Sequence, residues 1–322
     1  MEFFMDPEVT FGNKALEVFY IVMGLMSIYA GIRNYRDKTN PARVGTAVFW
    51  CSLGVVLALG RWLPSLVSGV LVVVMVLPAV FGKVKSGQAS ADDAPTTQEV
   101  AVNYQKIGTK IFIPALCLGV FAISGALIPG VGALAGCCFG VVAAAIILFV
   151  YSRSNTPRVF LNDSERLLSA MGALSMLPML LASLGAIFTA AGVGGVIAEM
   201  VGAVIPSDNL AIGIIVFGIG MMLFTMIMGN AFAAITVMTV GIGAPFVLIF
   251  GVDPSFIGIL ALTCGYCGTL LTPMAANFNI VPVALLEMKD RMGVIKKQVL
   301  TALVMIVFQI GYMLIASFMM LG

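Results

Sequence analysis

Histidine is absent from this 322-residue chain. The usual proton relay near neutral pH and the commonest metal ligand are therefore both missing. Charge is nearly as scarce: Asp, Glu, Lys and Arg make up 10% of the residues, 17 basic against 15 acidic, for a net charge of +2. So small an excess leaves no electrostatic footprint for nucleic acid, and no nucleic-acid partner is expected. No buried acidic pair and no metal-ligand cluster can be assembled from the pattern. The chain is accordingly expected not to be an enzyme and to hold no metal, catalytic group or resident cofactor.

Cysteine is sparse but not absent. Cys51, Cys117, Cys137, Cys138, Cys264 and Cys267 all fall in apolar segments. Cys264-Gly-Tyr-Cys267 has the spacing of a redox pair, but that spacing acquires its meaning in a soluble strand–helix setting. Inside a hydrophobic span, Cys is a small packing residue.

What is present in excess is apolar surface: 61% of residues are hydrophobic and the mean hydropathy is +1.09. Runs of about 20 apolar residues recur, with the charges concentrated between them. The fold class that follows is an all-α polytopic membrane protein of about 9–10 membrane segments, the lipid bilayer being its first partner. The segment Met1–Lys14 is acidic and amphipathic and lacks the basic start of a cleaved signal, so the first membrane helix is expected to be retained.

Four regions follow from the charge pattern. Residues 1–82 form a three-span N-terminal scaffold, with spans near 15–32, 44–60 and 65–81. Residues 83–110 form a cytoplasmic loop, whose 86–108 stretch is mobile by composition. Residues 111–166 hold a two-span hairpin, 111–127 and 131–151, and a basic loop. Residues 167–322 form a transport core with a sixth span to about 190, a hairpin at 209–250, a broken helix at 255–287 and a last span at 299–321. The short amphipathic segment after Gly192 carries Glu199 and ends at Pro206-Ser207-Asp208. Glu17 and Glu287 lie near span ends and are expected to be solvated or to snorkel. Lys and Arg concentrate in 33–43, 83–110, 152–166 and 288–297, which places these loops in the cytoplasm and the N-terminus outside. That rule is satisfied whether 209–250 makes two full crossings or one re-entrant hairpin, and both readings stand.

Two polar clusters interrupt this core: Gly229-Asn230-Ala231 and Thr272-Pro273-Met274-Ala275-Ala276-Asn277-Phe278-Asn279. Hydrocarbon cannot satisfy the backbone groups freed at such interruptions, and paired breaks point to a binding site in transporters. At a hairpin tip, the start of the second half-helix carries unpaired N–H groups and partial positive charge, which favour an anion. Gly229 allows close backbone approach and Asn230 offers an amide. Pro273 ends the opposite ladder and frees carbonyls for a cation or a proton carrier, with Thr272, Asn277 and Asn279 beside it. Together these make a site for a small carboxylate, with Na+ or H+ as possible coupling ion. Glu199, ionisable in an apolar segment, is the candidate coupling group, unless it lies at the interface and faces water. Each Asn or Pro alone reads equally well as packing between helices.

The C-terminal half, about residues 209–320, resembles the divalent-anion/sodium symporters and their wider ion-transporter superfamily. In that group a Ser-Asn-Thr hairpin tip precedes a broken helix with Thr-Pro-Pro-Asn. Here Gly229 and Ala231 replace the two hydroxyl residues and the second Pro is lost, so two sodium-ligating oxygens are missing. Asn230, Thr272, Pro273 and Asn277 carry over. The whole chain, including Asp37-Lys-Thr-Asn-Pro-Ala-Arg43 and Gly265-Tyr-Cys-Gly-Thr-Leu-Leu-Thr-Pro-Met-Ala-Ala-Asn277, resembles the bacterial permease family numbered 979 among the domains of unknown function. That resemblance implies a two-component permease of the inner membrane, whose second small membrane subunit belongs to family 969, and a 5-oxoproline or related carboxylate substrate.

A partner is also implied by elimination. Superfamily sites lie between two inverted repeats, yet Asn13, Asn34, Asn40, Asn103, Asn155 and Asn162 all fall in polar stretches, leaving no second buried tip. Either a second subunit supplies it, or a homodimer does, or the chain is not a transporter. The rival readings are a non-transporting scaffold that stabilises a partner permease, and a membrane redox or lipid-modifying enzyme using Cys264 and Cys267.

Overall fold

The computed structural model describes residues 2–87, 96–152, 155–203, 209–286 and 288–321. Among them there is no strand. Among the described residues six helical runs are long and apolar enough to cross a membrane: 11–36, 98–127, 133–151, 157–190, 210–228 and 293–321. Shorter apolar helices fill in between them. The protein is an all-α polytopic membrane protein. Its chain divides at Gly172/Ala173 into two compact units.

The first unit is built from antiparallel helix pairs whose seams are glycine. Helix α1 (Phe11–Arg36) packs along α2 (Arg43–Leu59). A Cβ on Gly24 would meet Gly54 O at 2.5 Å, and one on Gly54 would meet Gly24 O at 2.6 Å, so neither position admits a side chain. Membrane helices lack a hydrophobic drive to associate and gain instead from such close backbone packing. Helix α3 (Ser65–Val80) lies against α2. Helix α4 (Thr97–Ile107) opens with a capping box: Thr96 Oγ1 accepts from Glu99 N, and Glu99 Oε2 accepts from Thr96 N. Part of the stretch expected as a loop is therefore helix, because the reciprocal cap satisfies two otherwise orphaned donors. Helices α5 (Phe112–Leu127) and α6 (Ala133–Tyr151) make a second pair, tight at Gly125 and Gly136.

Amphipathic α7 (Pro157–Met171) docks on α1 through a buried polar knot. Asn34 Nδ2 lies 3.0 Å from both Glu165 Oε1 and Ser169 Oγ. Arg33 Nη1 stands 3.4 Å from Glu165 Oε2. Asn40 Nδ2 donates to Asn34 Oδ1 and to Lys85 O. Asn34 and Asn40 are thus buried rather than in polar loops: hydrogen bonds to Glu165, Ser169 and a backbone carbonyl offset the cost of leaving water. Glu17 departs from expectation in the same way. It is 5% exposed and accepts from Arg61 Nε at 2.7 Å, an ion pair rather than a solvated or snorkelling end. Glu287 and Pro206-Ser207-Asp208 lie outside the described residues.

The second unit is organised around α10 (Leu210–Met228). Helix α8 (Leu177–Ala190) and the short α9 (Val193–Gly202) precede it. Helix α11 (Ala231–Met238) runs back along α10 and continues through a π turn, Thr239–Gly243, to Phe246. The arms touch along their length: a Cβ on Gly213 would meet Phe246 O at 2.1 Å, and one on Gly243 would meet the Phe217 ring at 2.9 Å. Helix α12 (Pro254–Leu270) packs along α10, with Gly268 against Met222 O. After a non-helical stretch come α13 (Ala276–Asn279), α14 (Val281–Leu285) and the 29-residue α15 (Gly293–Leu321). Met221, Phe217, Ile257, Cys264, Ala302 and Ile306 fill the core between them.

Candidate functional site

The two arms of the hairpin meet at a turn of two residues. Gly229 is left-handed (φ +68°) and its N–H closes α10 onto Thr225 O at 2.7 Å. Glycine reaches this conformation without a Cβ penalty, which is why α10 stops there. Asn230 is extended and caps α11: its Oδ1 accepts from Phe232 N at 2.9 Å and Ala233 N at 3.3 Å. Two donors expected to face a ligand are therefore taken by the cap itself. The amide Nδ2 of Asn230 keeps its donor capacity, and the positive end of α11 stays uncompensated by any carboxylate among the described residues.

The tip sits on the break of the next helix. A Cβ on Gly229 would come within 2.5 Å of Met274 O and 3.1 Å of Ala275 N. Cys267, near the end of α12, donates to Gln309 on α15 at 3.5 Å, which ties α12 to the last helix just before the break.

The break is closed differently from the sequence expectation. Helix α12 ends at Leu270 and Pro273 supplies no N–H. The carbonyls freed there do not stand open, because Asn279 Nδ2 donates to both Thr269 O and Thr272 O at 2.7 Å. Thr272 is buried and its Oγ1 accepts from Met274 N at 3.2 Å. Pro273 is exposed. Thr272 and Asn279 hold the shape of the break, and among the described residues neither they nor Pro273 line the two cavities found at Asn230. Glu199, on α9, is exposed and lines neither of the cavities at the tip.

Two of the expected polar groups do come together. Gly229, Asn230 and Ala231 from the tip share a partly enclosed cavity of about 160 Å³ with Asn277 from α13. Its other walls are Leu181, Phe232, Tyr266, Thr269 and Phe278. The Phe232 and Tyr266 rings meet edge to face at 5.8 Å. A second, more open cavity of about 530 Å³ shares Asn230 and Phe232 and is lined by Thr189 and Thr236, whose hydroxyls lie 3.4 Å apart. Phe232, 61% exposed, stands between the two. This smaller cavity offers amide and hydroxyl groups on apolar walls. Such groups can orient a small polar or anionic solute.

Tyr266 and Thr269 belong to the site although their residue types did not announce them. Their signal was spacing: three apart on α12, they share one helix face. Among the described residues no bond ties down the Tyr266 hydroxyl. Thr225 Oγ1 and Asn279 Oδ1 are buried without a hydrogen-bond partner among the described residues. They have the spare capacity to take a water or a cation. No group of three metal-ligating side chains occurs among the described residues. Cys264 and Cys267 are free and buried, and Cys267 gives its S–H to Gln309 at 3.5 Å.

A family model described as "Protein of unknown function (DUF979)" matches residues 17–318. No curated protein matches, and neither does any solved structure.

Proposed function

Given that the chain belongs to the DUF979 family, we propose that it is one subunit of a two-component secondary permease moving a small carboxylate across the bacterial inner membrane. The observation that carries this reading is the partly enclosed cavity of about 160 Å³ where the hairpin tip meets the broken helix. Its size is below the ~300 Å³ of a typical ligand pocket, which favours a solute of few atoms. The substrate carboxylate would take the Asn230 amide and the positive end of α11, with Asn277, Tyr266 and Thr269 on the opposite wall. A 5-oxoproline or related organic acid fits that donor set and follows the family resemblance. The likeness of tip and break to the divalent-anion/sodium symporters belongs to the same proposal, as do the cytoplasmic basic loops.

Coupling to Na+ or H+ completes the reading. Thr225 and Asn279 carry the spare oxygens for Na+; exposed Glu199 is the weaker candidate for a coupling proton. A second subunit of family 969, or a second copy of this chain, would supply the other tip. Asn34 and Asn40 do not serve as one, since Glu165, Ser169 and Lys85 O already engage them.

Uptake of labelled 5-oxoproline and other small monocarboxylates into cells expressing this chain, with and without the partner, tests the proposal. Asn230→Ala and Asn277→Ala should each lower uptake at least tenfold with normal membrane levels of protein. Unchanged uptake in both variants would remove the site. The scaffold alternative makes the opposite forecast: the same variants would alter the yield of complex but not transport per complex.

A further inference from the structure

We propose that the groove between α2 and α3 is a binding site for one anionic phospholipid. This inference is independent of the transport reading, since it concerns another unit of the chain. The groove is open, about 760 Å³ in volume, and lies at the end of α2 where Arg43 begins the helix and Lys83 follows α3. Its walls below that basic rim are aliphatic and aromatic: Val48, Val74, Leu77 and Phe81. Phe81 is 71% exposed. An apolar wall with two cations at its rim matches a phosphate headgroup above an acyl chain.

Among the described residues neither Arg43 nor Lys83 has a carboxylate partner; Arg43 instead lies 5.9 Å above the Tyr35 ring. Asp37, on the neighbouring turn, turns its carboxylate to Thr39 N and Thr39 Oγ1. Arg43 also stands at the positive end of α2, where a cation is unfavourable. Helix α2 has no side-chain cap either. A phosphate at the rim would answer both cations and the helix end together.

Native mass spectrometry of the purified full chain tests this, with titration by dioleoylphosphatidylglycerol and by dioleoylphosphatidylcholine. The anionic lipid should bind one per chain and the zwitterionic lipid at least tenfold more weakly. Replacing both cations (R43Q/K83Q) should weaken the anionic lipid about 30-fold at low salt, at about 5-fold for each charge near a bilayer surface. The charge-matched control R291Q/K297Q should leave it unchanged. Leu77→Trp keeps the charges but fills the apolar wall and should also displace the lipid. The proposal fails if both lipids bind alike, if the control weakens binding as much as R43Q/K83Q, if Leu77→Trp binds as the wild type does, or if sn-glycerol 3-phosphate alone competes at millimolar levels. A matching melting temperature for each variant excludes misfolding as the cause.

Discussion

Replacing Gly229 by alanine separates the local conformation of the hairpin tip from its contact with the break. The backbone there has φ +68°, which costs an L-residue about 1–2 kcal/mol. The new Cβ would also lie 2.5 Å from Met274 O and 2.7 Å from Met274 C. These are backbone atoms held by the Thr272 and Asn279 bonds, so they cannot rotate away as a side chain would. Overpacking of this kind adds about 1–3 kcal/mol. The expected loss is therefore about 2–5 kcal/mol, with the tip pushed off the break.

Gly251 supplies the control. It has φ +85° and nothing within 4 Å of a built Cβ, so Gly251→Ala carries the conformational cost alone, about 1–2 kcal/mol. Both variants would be compared by reversible unfolding in mixed micelles and by uptake at equal membrane levels. Gly229→Ala should be the less stable by about 1–3 kcal/mol and should lose uptake, while Gly251→Ala keeps it. Equal destabilisation of the two would refute the packing of the tip against Met274 and Ala275, and with it the shared cavity.

Asn279→Leu should destabilise the second unit by about 2–4 kcal/mol, because two buried carbonyls, Thr269 O and Thr272 O, lose their donor; unfolding in micelles measures it. Arg61→Ala should cost about 1–2 kcal/mol in the first unit, since it strands the buried Glu17 while Arg61 itself is 44% exposed and partly screened. Glu17→Gln in that background should recover part of the loss. Glu99→Ala should open the reciprocal cap at Thr96. Amide exchange at Thr97–Ile107 should then accelerate relative to the wild type, and an unchanged rate would refute the cap.

Membrane helices were legible because hydropathy and length act over twenty residues at a time, and so was the break at Pro273, where a missing N–H is a property of one residue. The environment of Asn34 was not. Its neighbours Arg33 and Arg36 read as a polar loop, while the partners that bury it, Glu165 and Ser169, are more than 130 positions away. Glu17 and Arg61 fail to announce themselves for the same reason, 44 positions apart. Burial of a polar group depends on a distant donor, and no local pattern encodes that donor.

The candidate site shows the same limit at closer range. Asn277 and Asn279 are two positions apart and alike in residue type, yet on a short helical turn they point to different surroundings. Asn277 is exposed to the cavity, whereas Asn279 is fully buried with its amide committed to the carbonyls that Pro273 frees. The amide that repairs the break is then what lets the break persist in an apolar layer, because each open carbonyl there would cost several kcal/mol. The break is thus a seat for the tip in which Thr269 O and Thr272 O are already engaged, and recognition of a solute falls to groups that carry no such structural duty. Asn277, the Asn230 amide and the Tyr266 hydroxyl are those groups, and they are the ones that share the cavity.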